Sequence, residues 1–192
     1  MHTTDPHKAM VFQWHQLIQQ ACDYAGIQLD DDIQSYLLLT LVRYIHDDQL
    51  AENAITMSFE IATDMPRDQR LQTLKTRAEH CLILAGMFPS HIDRQSLRIS
   101  HYIQLGIDSY SELSQLMFDN DKLIYQQLSK DFVKLIDVLY TVRVFNGSPM
   151  LPLIQALELW SDTGSKTAFQ TLTMNRQSIP LTESLLGSQY KH

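Results

Sequence analysis

Residues 77–116 read RAEHCLILAGMFPSHIDRQSLRISHYIQLGIDSYSELSQL and contain the longest apolar run of the chain, at 81–88. Pro89 follows this run and disfavours helical conformation at the residue before it, so we predict a helix that ends there. Apolar residues recur at helical spacing back to Pro66, which suits a first helical turn. After a short loop the helical period resumes and continues to Leu116. The stretch therefore predicts two long helices that pack antiparallel as a central hairpin.

The rest of the chain also shows helical periodicity, and no β-hairpin signal occurs. One stretch, 122–145, predicts a single long helix. The length of 192 residues suits one core. We therefore predict an all-α, single-domain multi-helix bundle of about six to eight helices around the central hairpin. The domain is expected to occupy residues 1–173, and the weakly patterned residues 174–192 are expected to form a C-terminal tail, docked or flexible. The candidate docking residues of the tail are Leu181, Leu185 and Leu186.

The composition is that of a globular protein, with 44% hydrophobic and 19% charged residues. The net charge of −7 argues against binding to nucleic acid or to anionic membranes, because such binding depends on basic groups that meet phosphates. No apolar run approaches the roughly 20 residues that span a bilayer, and the start of the chain lacks the features of a secretory signal. We expect a cytoplasmic protein without nucleic-acid or membrane partners.

No motif of a common enzyme or metal site occurs in the sequence. Asp30, Asp31 and Asp32 precede a predicted helix and are interpreted as helix-capping residues, since the spaced acidic ligands of a cation loop are missing. Cys22 and Cys81 lie on predicted apolar helix faces, and their spacing indicates neither a metal site nor a disulfide framework. We predict no metal and no cofactor, and whether the protein is an enzyme stays open.

Gly106 lies inside the second helix of the predicted hairpin, where glycine costs about 1 kcal/mol relative to alanine. A hairpin that turns at Ile92 places this glycine opposite Ala78, among small residues that allow the two helices to approach closely. Close packing is therefore the first explanation for Gly106. The second explanation is a groove for a ligand beside it.

Glu79 and His80 form a titratable pair at the start of the apolar run, and Tyr102 and Tyr110 lie on the facing helix. A buried glutamate beside tyrosine hydroxyls is suited to act as a general acid. The favoured interpretation is that it fixes the register of the hairpin within a hydrogen-bond network, because perturbed groups in helical cores are often structural. No catalytic residue is assigned, and the candidate ligand-binding residues are Glu79, His80, Tyr102, Gly106 and Tyr110.

The segments EHCLILAGMFP (79–89) and HYIQLGIDSY (101–110) carry a further pattern. An acidic residue and an apolar run lead to a Gly-aromatic-aromatic-Pro helix end, and a Y-x-x-x-G-x-x-[AS]-Y segment follows. In this pattern the chain resembles a family of uncharacterised bacterial all-helical proteins, with Glu79 in place of Asp and Met87 in place of an aromatic residue. The resemblance implies a bacterial helical protein and no particular reaction. The matching residues are Glu79, Leu82, Gly86, Phe88, Pro89, Tyr102, Gly106, Ser109 and Tyr110, with a weaker echo at 160–165.

The sequence is compatible with two functions of different classes. The first is a non-enzymatic interaction or regulatory module that acts through an apolar surface. The second is a binder of, or an enzyme acting on, a small and mostly apolar ligand in a groove near Glu79, Tyr102 and Gly106. Because the predicted helices have more apolar faces than one small bundle hides, we expect a homodimer or another protein partner.

Overall fold

The computed structural model describes residues 6–45, 65–93 and 98–178, and in these residues the chain is an all-α single domain. This confirms the predicted fold class. The described residues form nine helices and no strand. The helices are α1 (Pro6–Ala25), α2 (Asp31–Ile45), α3 (Arg67–Met87), α4 (Pro89–Asp93), α5 (Ile99–Leu116), α6 (Asp119–Lys130), α7 (Phe132–Phe145), α8 (Leu153–Thr163) and α9 (Lys166–Ser178).

Helices α3 and α5 pack against each other more extensively than any other pair of described helices. Side-chain bonds mark their register. The Arg67 guanidinium donates to the carbonyl of Leu116 over 2.6 Å, and Arg77 Nε donates to Ser109 Oγ over 2.7 Å. Residue numbers therefore rise along α3 while they fall along α5, so the two helices run antiparallel. Every residue of α3 from Arg77 to Gly86 is buried, because α7 packs on α3 as well.

The prediction of one helix at 122–145 is wrong, because the structure contains two helices separated by Asp131 (φ −95°, ψ 8°). The sequence has neither glycine nor proline there. Asp131 is buried, and its carboxylate accepts a hydrogen bond from Gln127 and pairs with Lys134, each over 2.6 Å. The backbone N–H of Asp131 donates to the carbonyl of Gln127, and that of Leu135 donates to the carbonyl of Asp131, so backbone hydrogen bonds continue through the junction of the two helices. Helix α7 then begins with Phe132, whose ring lies on α5.

Helices α8 and α9 form a second hairpin. Gly164 ends α8 in the left-handed conformation (φ 71°), which glycine adopts without steric cost. The predicted tail begins at Met174, but α9 continues to Ser178. The remaining tail residues, 179–192, lie outside the described residues. The stretch at about 50–62, where the sequence also predicts a short helix that leads to Pro66, lies outside them as well.

Across the described residues, no helix combines the length and the apolar character needed to cross a membrane.

Candidate functional site

A buried carboxylate on α3 is the centre of a polar network between α2, α3 and α5. Glu79 is only 3% exposed. Its Oε1 atom accepts one hydrogen bond from the Tyr36 hydroxyl over 2.7 Å and another from Arg43 Nη2 over 2.9 Å. Both donors belong to α2, which supplies a hydroxyl and a positive charge to the same oxygen. The ion pair satisfies the buried carboxylate, as buried charges require.

Three tyrosine rings extend this network away from Glu79. The hydroxyl of Tyr110 donates to that of Tyr36 over 3.3 Å, so Glu79 and Tyr110 belong to one hydrogen-bonded chain. The rings of Tyr110 and Tyr125 are stacked at 5.9 Å, and Tyr36 meets both of them edge-on. Burial, together with the nearby negative charge of Glu79, raises the pKa of Tyr36 and of Tyr110. These hydroxyls therefore remain protonated donors at physiological pH.

His80, the second candidate residue, faces a different neighbour. Its ring lies edge-on to Tyr44 of α2, with 5.4 Å between ring centres. Burial and, to a smaller extent, the positive charge of Arg43 together lower the pKa of His80 from 6.5 to about 4. The imidazole is therefore neutral in the folded protein at pH 7. In the unfolded chain the same group takes up a proton near its ordinary pKa.

This difference predicts a pH-dependent stability. Since the folded-state pKa of His80 lies below the unfolded one, the unfolded chain binds more protons between pH 6.5 and about pH 4. The free energy of unfolding should therefore fall as pH is lowered through this window. We expect His80→Gln to reduce that fall by about 1–3 kcal/mol, measured by urea unfolding at pH 4.5 and pH 7.0. Identical pH profiles for the variant and the wild type would contradict the assignment.

Gly106 lies against an aromatic ring. A methyl group at this position would come within 3.0 Å of three ring atoms of Phe132, the first residue of α7. The three nearest atoms all belong to α7, a third helix that was not considered when Ala78 of α3 was predicted to lie opposite Gly106. Tyr102 is buried on α5, and burial raises its pKa, with a further contribution from Cys81. Of the five candidate residues, Glu79 and Tyr110 are thus joined by hydrogen bonds, through the hydroxyl of Tyr36.

A second buried carboxylate, which the sequence interpretation missed, holds the start of α9. Asp137 of α7 accepts hydrogen bonds from the hydroxyls of Ser165 and Thr167 and from the backbone N–H of Lys166, the latter over 2.9 Å. Ser165 Oγ in turn accepts from the N–H of Ala168, as a helix-capping residue does. Burial raises the pKa of Asp137 in spite of these bonds. All donors come from the helix start, which indicates a structural capping role.

The described residues contain no group of three or more His, Cys, Asp or Glu side chains that could hold a metal ion. Asp31 and Asp32 are exposed in the first turn of α2, where carboxylates interact favourably with the helix dipole. Cys22 and Cys81 are buried free thiols.

Two cavities in the described part of the chain have linings that do not include the candidate residues. A surface cavity of about 590 Å³ lies between α1 and the start of α2, beside Asp23 and Gln34. A cleft of about 30 Å³ separates Met150 from Met174 at the far end of α9. Ligand binding at Glu79, His80, Tyr102, Gly106 and Tyr110 stays a prediction.

An exposed apolar surface covers the hairpin of α8 and α9. Its five large side chains are between 41% and 73% exposed, and the rings of Trp160 and Phe169 are 5.5 Å apart. Asp162 of the same helix turns towards α5, where it accepts a hydrogen bond from Ser100 over 2.7 Å. We call this surface the α8–α9 face, and it consists of Leu153, Ile154, Leu157, Trp160 and Phe169.

Comparisons with known protein families, with characterised proteins and with solved structures found no significant match for this chain. The resemblance to a bacterial helical family therefore stays a prediction, and the function is argued from the structure alone.

Proposed function

We propose that this protein is a non-enzymatic interaction module whose α8–α9 face binds a second copy of the same chain. The observation that carries the proposal is the concentration of large apolar side chains on one exposed helix face. Monomeric proteins rarely expose contiguous apolar patches larger than a few hundred Å², and such patches mark interaction sites.

The charge distribution of the face permits a second copy as the partner. The chain carries a net charge of −7, so two copies repel each other at long range. Four of the five side chains of the face come from α8, and Glu158 is an exposed charge beside them. Asp162 is engaged by Arg98, at 3.9 Å, as well as by Ser100. The face is therefore a nearly neutral area on an acidic protein, where a second acidic copy approaches at the lowest cost.

The spacing of the face also suits a two-fold contact. Ile154 and Trp160 lie three residues before and after Leu157. If two α8 helices cross antiparallel at Leu157, Ile154 of one copy meets Trp160 of the other, and the reverse contact follows by symmetry. A two-fold contact is thus self-complementary: one exposed side chain of each copy covers an aromatic ring of the other.

The expected affinity is modest. Specific interfaces bury about 1,200–2,000 Å² in total, and a contact made by five partly exposed side chains per copy is small by comparison. We therefore expect a dissociation constant on the order of micromolar.

Ile154→Asp should abolish dimerisation while it leaves the fold intact. Each new carboxylate would lie against Trp160 of the other copy, and the first turn of α8 tolerates an acidic residue. Sedimentation equilibrium over a concentration series measures the change in mass. Leu123→Asp is the matched control, because Leu123 is 62% exposed on α6, away from the face. The proposal would be refuted if the wild type remains monomeric at a protein concentration of about 100 μM, which is 100-fold above the expected dissociation constant.

A further inference from the structure

The chain leaves α9 close to the beginning of the α8–α9 face. Met174, in the last turns of α9, lines the same cleft as Met150, which precedes α8. Trp160 and Phe169 pack together nearer the turn of the hairpin. The two helices therefore run side by side in opposite directions, and Ser178 lies one turn beyond Met174. Ser178 therefore lies at the end of the hairpin where α8 begins, which is the end that carries Leu153.

Residues 179–192 read IPLTESLLGSQYKH, and they lie outside the described residues. Three leucines, at positions 181, 185 and 186, stand within six residues of each other. The face from Leu153 to Trp160 is about 10 Å long, at 1.5 Å per helical residue. An extended chain covers about 3.3 Å per residue, so the leucines reach every part of the face from Ser178. The formal charges of Glu183 and Lys191 cancel, so the segment meets no net repulsion there.

From this placement we propose that residues 179–192 bind the α8–α9 face of their own chain and compete with the second copy. The competition with a second copy rests on the proposed function, whereas the binding of the segment to the face of its own chain does not. A tethered segment has an effective concentration in the millimolar range, so even weak apolar contacts displace a micromolar partner for part of the time. The segment would thus act as an internal regulator of dimerisation.

The test replaces the three leucines in the full chain by Leu181→Asp, Leu185→Asp and Leu186→Asp. The matched control is Thr182→Asp, Ser184→Asp and Ser188→Asp, which adds the same charge to the same segment. All proteins carry Trp14→Phe, so that fluorescence reports only Trp160, the other tryptophan of the chain. Acrylamide quenching is measured in dilute solution, where the protein is monomeric, and dimerisation is measured by sedimentation equilibrium.

If the segment covers the face, the leucine variant should be quenched more strongly than the control. If the segment covers the face in roughly nine-tenths of the molecules, about one pair of molecules in a hundred has both faces free. Freeing the face in both copies should then tighten dimerisation about 100-fold. Equal quenching of Trp160 in the leucine variant and the control would overturn this proposal, whatever the mass of the wild type. Stronger quenching without a dimer in any protein would support the covering and refute the proposed dimer.

Discussion

Gly106→Ala is expected to lower the free energy of unfolding by about 1–3 kcal/mol, although alanine is the better helix former by about 1 kcal/mol. The added methyl group would overlap the ring of Phe132, which is fully buried at the start of α7. The ring has no free space to enter, so α5 and α7 must separate or the ring must leave its rotamer. Urea unfolding of the variant and the wild type at pH 7 measures the difference.

A double-mutant cycle separates this overlap from other effects. Phe132→Leu alone should destabilise the protein, because it removes ring atoms from the core. In that background, Gly106→Ala should cost little or should stabilise, since the atoms that the methyl group would overlap are gone. A clear gain in stability from Gly106→Ala in the wild-type background would refute close packing, and it would favour the alternative groove beside this glycine.

Much of the fold follows from the sequence because hydrophobic periodicity is a local signal. The antiparallel contact of α3 with α5 is an example, since both helices are marked by apolar spacing and are separated by Pro89. The break at Asp131 was not predictable in this way. Neither glycine nor proline marks it, and an aspartate inside a helical pattern is more often a solvated residue.

The candidate site was predicted only in part. Glu79 and Tyr110 do belong to one hydrogen-bonded chain, but Tyr36, which connects them, was not singled out. Tyr36 and Arg43 are separated from Glu79 by 43 and 36 residues, and their sequence context is an ordinary amphipathic helix. Asp137 was missed for a similar reason, because its partners lie 28 to 30 residues later in the chain. Polar contacts between distant elements leave no periodic signal.

The buried charge of Glu79 gives the second large prediction. Glu79→Gln keeps the shape of the side chain but removes the charge that pairs with Arg43. We expect the free energy of unfolding to fall by about 2 kcal/mol, as for the loss of a hydrogen bond to a charged group. The loss should be smaller than the 3–5 kcal/mol or so typical of a broken buried pair, because Arg43 is 43% exposed and can turn to water.

Glu112→Gln is the matched control, since Glu112 of α5 also forms an ion pair with an arginine of a neighbouring helix, Arg70 of α3, but is 33% exposed. A half-exposed pair contributes about 1 kcal/mol or less, and salt screens it. Urea unfolding in 0.1 M and 1 M NaCl should therefore show a small, salt-sensitive effect for Glu112→Gln and a larger, salt-resistant one for Glu79→Gln. If Glu79→Gln instead stabilises the protein, the charge is retained at a cost to the fold. That result would contradict the structural role and would favour Glu79 as a residue that binds a ligand, because functional groups are often kept at the expense of stability.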